Sequence, residues 1–155
     1  MPAKSAGLLI YRAASDRLEV LLVHPGGPFW ARKDEGAWSI PKGLIEPGEN
    51  ELSAARRKSR EELGADVDGT FERLGEYRQP GGKVVVVWAV EADPAIERAA
   101  IVSNTFRMEW PPKSGLMKEF PEVDRASWFG VDEAEKKILK GLSPMLRDLV
   151  ARRAQ

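Results

Sequence analysis

The sequence contains no cysteine, which excludes disulfide bonds, thiolate metal sites and cysteine nucleophiles. It also has no net charge, because 24 Lys and Arg residues balance 24 Asp and Glu residues. A neutral chain has no long-range field to attract polyanions, which argues against binding to duplex nucleic acid or to a membrane surface. The longest apolar run, residues 84–90, is far too short to cross a bilayer. These absences predict a soluble, cytoplasmic protein.

The residues that are present are those of an ordinary globular domain. Hydrophobic residues make up 43% of the chain and charged residues 31%, a balance unlike that of a disordered segment. A length of 155 residues suits one compact domain with a substantial core. We therefore predict a single domain that spans residues 1–155.

The order of apolar runs and turn signals predicts an α+β fold, in which helices pack on a mixed sheet. Residues 93–121 are expected to be irregular, because they are polar and include two consecutive prolines. Strands are predicted at residues 7–11, 18–23, 70–79, 83–90 and 123–129, and helices at residues 51–63, 131–140 and 143–153.

The helix predicted over residues 51–63 has clear signals at both ends. Asn50 is a good N-cap, because its side chain can accept a hydrogen bond from the first turn. Gly64 follows the last helical residue, where a left-handed backbone conformation commonly ends a helix. These signals place the helix directly after a loop rich in glycine and proline.

The charged residues of this helix allow two interpretations. Arg57 with Glu61, and Lys58 with Glu62, have the i,i+4 spacing of ion pairs on a solvated helix face. Alternatively, adjacent glutamates beside a tight turn and the Gly43 carbonyl offer the oxygen ligands that suit Mg²⁺. Because Mg²⁺ usually shares its shell with phosphate oxygens, a metal here implies a phosphate-bearing ligand.

Residues 43–65 resemble the Nudix box, G-x5-E-x7-R-E-U-x-E-E-x-G-U, in which U is a bulky apolar residue. Six of its seven fixed positions match without a gap: Gly43, Glu49, Arg57, Glu61, Glu62 and Gly64. Outside the box, the chain is similar to the diadenosine-polyphosphate hydrolases of this family. The similar features are residues 38–43, Lys83 before a strand that ends at Trp88, and Glu122 six residues before Trp128.

The resemblance implies a Nudix α/β/α sandwich and a pyrophosphohydrolase that cleaves a phosphoanhydride in a nucleoside di- or polyphosphate. It implies a divalent cofactor, Mg²⁺ or Mn²⁺, and makes dinucleoside polyphosphates the leading substrate class. The implied metal ligands are Gly43, Glu61 and Glu62, with Glu49, Arg57 and Gly64 as structural residues and Lys42 and Lys83 as phosphate-binding residues.

The chain departs from the box at Lys58, where the pattern has glutamate, and at Ser59, where it has a bulky apolar residue. A lysine cannot ligate a metal as a cation, and its charge competes with bound Mg²⁺. One hypothesis is an active enzyme in which Glu62 and a base from elsewhere, Glu122 or less favourably Glu119, carry out catalysis. The other is an impaired domain that binds a nucleotide or polyphosphate without cleaving it.

Three tryptophans lie in or beside predicted loops: Trp30, Trp38 and Trp110. An indole at such a position can stack on a nucleotide base, or it can cap the hydrophobic core. The sequence leaves both alternatives open for each of them.

Overall fold

The fold is known from a computed structural model that describes residues 4–14, 16–94 and 105–153. The main sheet is mixed and has six strands: β1 (Lys4–Ala14), β2 (Arg17–Pro25), β3 (Lys42–Leu44), β4 (Phe71–Arg78), β5 (Val84–Glu91) and β8 (Val123–Gly130). Five of them follow the order β4-β5-β1-β2-β8, and the short strand β3 also pairs with β1.

The first strand lies at the centre of the sheet. β1 pairs in parallel with β5, in a register that runs from Lys4 opposite Val84 to Tyr11 opposite Glu91. It pairs antiparallel with β2 and β3. The apolar runs in β1, β2 and β5 are buried, as expected for strands covered on both faces.

Helices cover both faces of the sheet, which confirms the predicted sandwich. On one face, α1 (Glu51–Leu63) packs its buried alanines and Leu63 against Leu8 and Ile10 of β1. On the other face, the buried residues of α3 (Ser143–Arg153) share a hydrophobic core with Leu9 of β1, Leu22 of β2 and Val87 of β5. A third helix, α2 (Val131–Lys137), leads from β8 to a 3₁₀ turn at Lys140–Leu142. In the described part of the chain, no helix is long and apolar enough to cross a bilayer.

The prediction that residues 93–121 are irregular is wrong for residues 105–121. This segment forms an antiparallel hairpin of β6 (Thr105–Glu109) and β7 (Met117–Pro121), separate from the main sheet. Both strands are polar and exposed along most of their length, so no hydrophobic alternation revealed them. Residues 95–104 lie outside the described part of the chain.

Candidate functional site

The loop before α1 is attached to the helix by a bidentate ion pair. Arg57 donates to both carboxylate oxygens of Glu49, at 2.8 and 3.0 Å, and to the carbonyl of Leu44 at 3.1 Å. The hydrogen bonds from Arg57, together with one from the Glu46 backbone N–H, lower the pKa of Glu49 from 4.5 to about 2. This arrangement supports the structural roles predicted for Glu49 and Arg57.

Both ends of α1 are capped as the sequence predicts. The Asn50 side chain accepts a hydrogen bond of 2.8 Å from the Ser53 backbone N–H, and Gly64 adopts the left-handed conformation at φ 72°. These caps define where the helix begins and ends.

Glu62 points into the protein and is only 6% exposed. Its carboxylate accepts a hydrogen bond of 2.9 Å from the backbone N–H of Lys42. Burial raises the pKa of Glu62 from 4.5 to about 8, although the positive charge of Lys58 opposes this shift. Burial likewise lowers the pKa of the Lys42 side chain, an effect that the charge of Glu62 opposes. The buried carboxylate of Glu62 and the half-buried side chain of Lys42 thus each affect the pKa of the other.

These two residues line a cavity of about 250 Å³. Glu122, the residue directly before β8, lines the same cavity. One part of the lining is therefore charged, while the rest is apolar. The main apolar lining residues are Val23, Trp30, Ile40 and Leu139.

The backbone of Glu122 is held by the loop after β2, because the Gly26 N–H donates to the Glu122 carbonyl at 2.9 Å. Its side chain is 38% exposed and reaches the cavity. Glu119, the other acid considered as a base, lies on the exposed hairpin and accepts a hydrogen bond from Thr105. The structure therefore brings Glu122, and not Glu119, to the cavity.

Lys58 lies among the acidic side chains. Its ammonium nitrogen is 3.1 Å from a carboxylate oxygen of Glu61 and 3.6 Å from one of Glu122. The ion pair forms with Glu61 at i,i+3, in place of the i,i+4 pair with Glu62 that the sequence predicts. Partial burial favours a higher pKa for Glu61, but the hydrogen bonds and charges of Lys58 and Arg57 outweigh it and lower that pKa.

These side chains, as arranged, do not fit the metal ion that the resemblance implies. The Lys58 ammonium occupies the space between the carboxylates of Glu61 and Glu122. Within residues 4–14, 16–94 and 105–153, no three acidic or histidine side chains are grouped closely enough to hold an ion. Carboxylate oxygens are suitable ligands for a divalent ion, but the Lys58 ammonium separates those of Glu61 from those of Glu122.

The other predicted binding residues are less central. Lys83 is exposed and does not line the cavity, although its charge contributes to the lowered pKa of Lys42. Trp38 is 4% exposed and packs edge-on against His24 and Phe129, so it is a core residue. Trp110 lies on the hairpin and, unlike Trp30, does not line the cavity.

Most of the apolar wall could not be predicted from the sequence. Leu139 follows α2 almost a hundred residues after Ile40, and no local pattern shows that they meet at one cavity. The anchor of the loop that carries Trp30 was not predicted either. Here the buried His24 ring contacts the Asp124 carboxylate at 2.9 Å and the Lys33 carbonyl at 2.7 Å. The available signal in the sequence was that His24, the single histidine of the chain, directly follows the strand predicted at residues 18–23.

Comparison with known proteins identifies bis(5′-nucleosyl)-tetraphosphatases among the relatives of this chain. The chain is 40% identical to a bis(5′-nucleosyl)-tetraphosphatase [asymmetrical] of Caenorhabditis elegans over 62 residues, which is 40% of this chain and 41% of the relative. It is 29% identical to the mouse protein of the same name over 103 residues, which is 59% of this chain and 66% of the relative. The matched stretch is thus shorter than two thirds of either relative.

Solved structures agree with the fold. A C. elegans Ap4A hydrolase binary complex superposes with a TM-score of 0.66 at 25% identity, covering 98% of each chain. The NUDIX domain of Shewanella oneidensis NrtR, complexed with ADP ribose, superposes with a TM-score of 0.68 at 16% identity, covering all of this chain and 90% of that one. The sequence pattern of the NUDIX domain matches residues 1–149. With its box, its sandwich and this match, the chain belongs to the Nudix family.

Proposed function

We propose that this protein hydrolyses a phosphoanhydride bond in a nucleoside di- or polyphosphate, and that dinucleoside polyphosphates are its leading substrate class. The observation that carries the proposal is the cavity that brings Glu62, Glu122 and Lys42 together with Trp30. Relatives of the bis(5′-nucleosyl)-tetraphosphatase kind support the choice of substrate class.

The cavity provides complementary surfaces for the two parts of a nucleotide. The ammonium of Lys42 is a point charge for a phosphate oxygen. Trp30 is partly exposed and offers an aromatic face on which a base can stack. Its ring is braced edge-on by Phe29, at a centroid distance of 5.3 Å. Phosphate and base would thus be recognised by separate walls of one cavity.

Glu122 is the side chain best placed to act as a general base. Since it is partly exposed, water can reach it directly. It would accept a proton from a water molecule whose oxygen attacks phosphorus, while the bridging oxygen leaves with the departing phosphate. The buried Glu62 would position Lys42 through the hydrogen bond to its backbone N–H.

Nudix hydrolases generally use divalent metal ions. Mg²⁺ or Mn²⁺ stays a prediction for this chain, and the Lys58 ammonium lies where an ion between Glu61 and Glu122 would bind. The hydrolytic step proposed for this chain therefore uses only its own side chains and water.

The proposal is tested by incubating the protein with diadenosine tetraphosphate and separating the products by ion-exchange chromatography. We expect ATP and AMP from the wild type and a loss of rate of about 10²- to 10⁴-fold in Glu122→Gln. Glu119→Gln is the matched control, because it makes the same change on the exposed hairpin, and its rate should stay within about twofold of the wild type. Equal rates for all three proteins would refute the role of Glu122.

The second candidate is a Nudix domain that binds a nucleotide without cleaving it, and the position of Lys58 favours it. The two functions predict different results when the protein is mixed with diadenosine tetraphosphate. If diadenosine tetraphosphate quenches the tryptophan fluorescence of the wild type but not that of Trp30→Ala, while no product forms over many hours, the protein is a binding domain. If product accumulates through many turnovers, it is an enzyme.

A further inference from the structure

We infer that Lys58 is a built-in cation that takes the place of a divalent metal between Glu61 and Glu122. The positive charge at this point of the site would then be supplied by the fold itself. The inference rests on the same site as the proposed function, but it concerns metal binding and can be tested without any substrate.

Lys58 occupies a closely packed position. Its side chain is only 14% exposed, and its stem lies directly over Gly43. A Cβ atom added to Gly43 would be 2.4 Å from Cε, 2.7 Å from Cδ and 2.9 Å from Cγ of Lys58. The absence of a side chain at Gly43 lets the lysine stem lie here, and a Cβ at this position would require the Lys58 side chain to shift.

The ammonium of Lys58 balances the charge of the carboxylates around it. Glu61 and Glu122 both lie within ion-pair distance of Lys58, at 3.1 and 3.6 Å. Glu62 also interacts electrostatically with both Lys58 and Glu122. Without the ammonium, these carboxylates would repel one another in a partly buried position. Lys58 therefore performs the neutralisation that a bound cation would perform.

A divalent ion would compete with Lys58 for the same position. A divalent ion between Glu61 and Glu122 would lie next to the ammonium unless Lys58 moved away from both. Like charges at such short range repel strongly, and moving Lys58 would break its ion pairs and uncover its stem. We therefore expect weak metal binding by the wild type, whatever its hydrolytic activity.

The test measures Mn²⁺ binding directly, by the loss of the electron paramagnetic resonance signal of free Mn²⁺, with no nucleotide present. Lys58→Glu should bind Mn²⁺ about 10- to 100-fold more tightly than the wild type. Lys118→Glu is the matched control, because it makes the same charge change at an exposed position on the hairpin, and it should bind like the wild type.

Lys58→Met provides a second variant, because it keeps most of the stem and removes the charge. It should bind Mn²⁺ more tightly than the wild type, which also decides the question if Lys58→Glu does not fold. The inference is overturned if the wild type binds as tightly as Lys58→Glu, if Lys118→Glu gains equally, or if Lys58→Met gains nothing. Since no substrate is present, a failure of the hydrolysis assay would refute the proposed function without deciding this result.

Discussion

Ser59 carries the clearest stability prediction, because its hydroxyl is buried without a partner. The residue is 1% exposed, and its Oγ makes no hydrogen bond in the described part of the chain. It lies on the face of α1 that packs on the sheet, near Ala55 and Leu63. At this position the box pattern has an apolar residue, so the serine places a polar atom in an apolar contact.

The expected effect of Ser59→Ala is stabilisation. An unpaired buried hydroxyl costs about 1–3 kcal/mol, and alanine in a helix gains up to about 0.5 kcal/mol over serine. The small void left by the oxygen offsets part of this gain. We therefore expect the free energy of unfolding to rise by about 1–2 kcal/mol, which raises the melting temperature by about 2–8 °C in a domain of this size.

The assay is thermal and urea unfolding followed by circular dichroism. Ser53→Ala is the matched control, because Ser53 is on the same helix but exposed. It should change the free energy of unfolding by no more than about 0.5 kcal/mol. If Ser59→Ala is no more stable than Ser53→Ala, the buried hydroxyl of Ser59 does not destabilise the folded protein, which would refute the prediction.

Three further predictions concern the loop, the cavity and the far side of the sheet. Because the pKa of Glu49 falls from 4.5 to about 2 on folding, its pair with Arg57 should stabilise the protein above about pH 4.5 and progressively less as the pH falls towards 2. The difference in melting temperature between the wild type and Glu49→Gln should shrink over that range. Trp30→Ala should weaken binding of diadenosine tetraphosphate by about 5- to 100-fold in calorimetry, through loss of base stacking. Tyr77→Phe should lower the free energy of urea unfolding by about 0.5–1.5 kcal/mol, because it removes a 2.6 Å hydrogen bond to Asp148.

A different result would contradict each of the three predictions for Glu49→Gln, Trp30→Ala and Tyr77→Phe. A melting difference for Glu49→Gln that stays constant from pH 7 to about pH 2 would show that the ion pair does not titrate as described. Trp110→Ala is the control for Trp30→Ala, since Trp110 lies outside the cavity lining, and equal losses in both would rule out stacking on Trp30. An unchanged urea midpoint for Tyr77→Phe would show that its hydrogen bond contributes nothing.

Local signals made much of the fold predictable. The bounds of α1 agree with the prediction at both ends, because Asn50 and Gly64 act through their immediate neighbours. The buried strands β2 and β5 were found for a similar reason, since each contains a short apolar run. The hairpin at residues 105–121 lacked such a run and was missed. The pairing of β1 with β5 depends on contacts far apart in sequence, which no local pattern encodes.

The candidate site was predictable in composition but not in geometry. The box spacing selects Glu61 and Glu62, yet it does not show that Glu62 is buried while Glu61 faces Lys58. Glu62 accepts a hydrogen bond from the backbone N–H of Lys42, and Lys58 lies 3.6 Å from Glu122, which comes 64 positions later. Tertiary contacts therefore decide which of two neighbouring ion pairs forms.

The parallel pairing of β1 and β5 has a consequence for biosynthesis. Residues 4–11 emerge from the ribosome before residues 84–91, with which they pair. At ordinary rates of translation the interval is about 4–16 s. During that time β1 has one edge without its final neighbour, and its apolar side chains are available to other chains. Nascent chains that stall before residue 84 would keep this edge open, and we expect them to depend on chaperones more than the finished protein does.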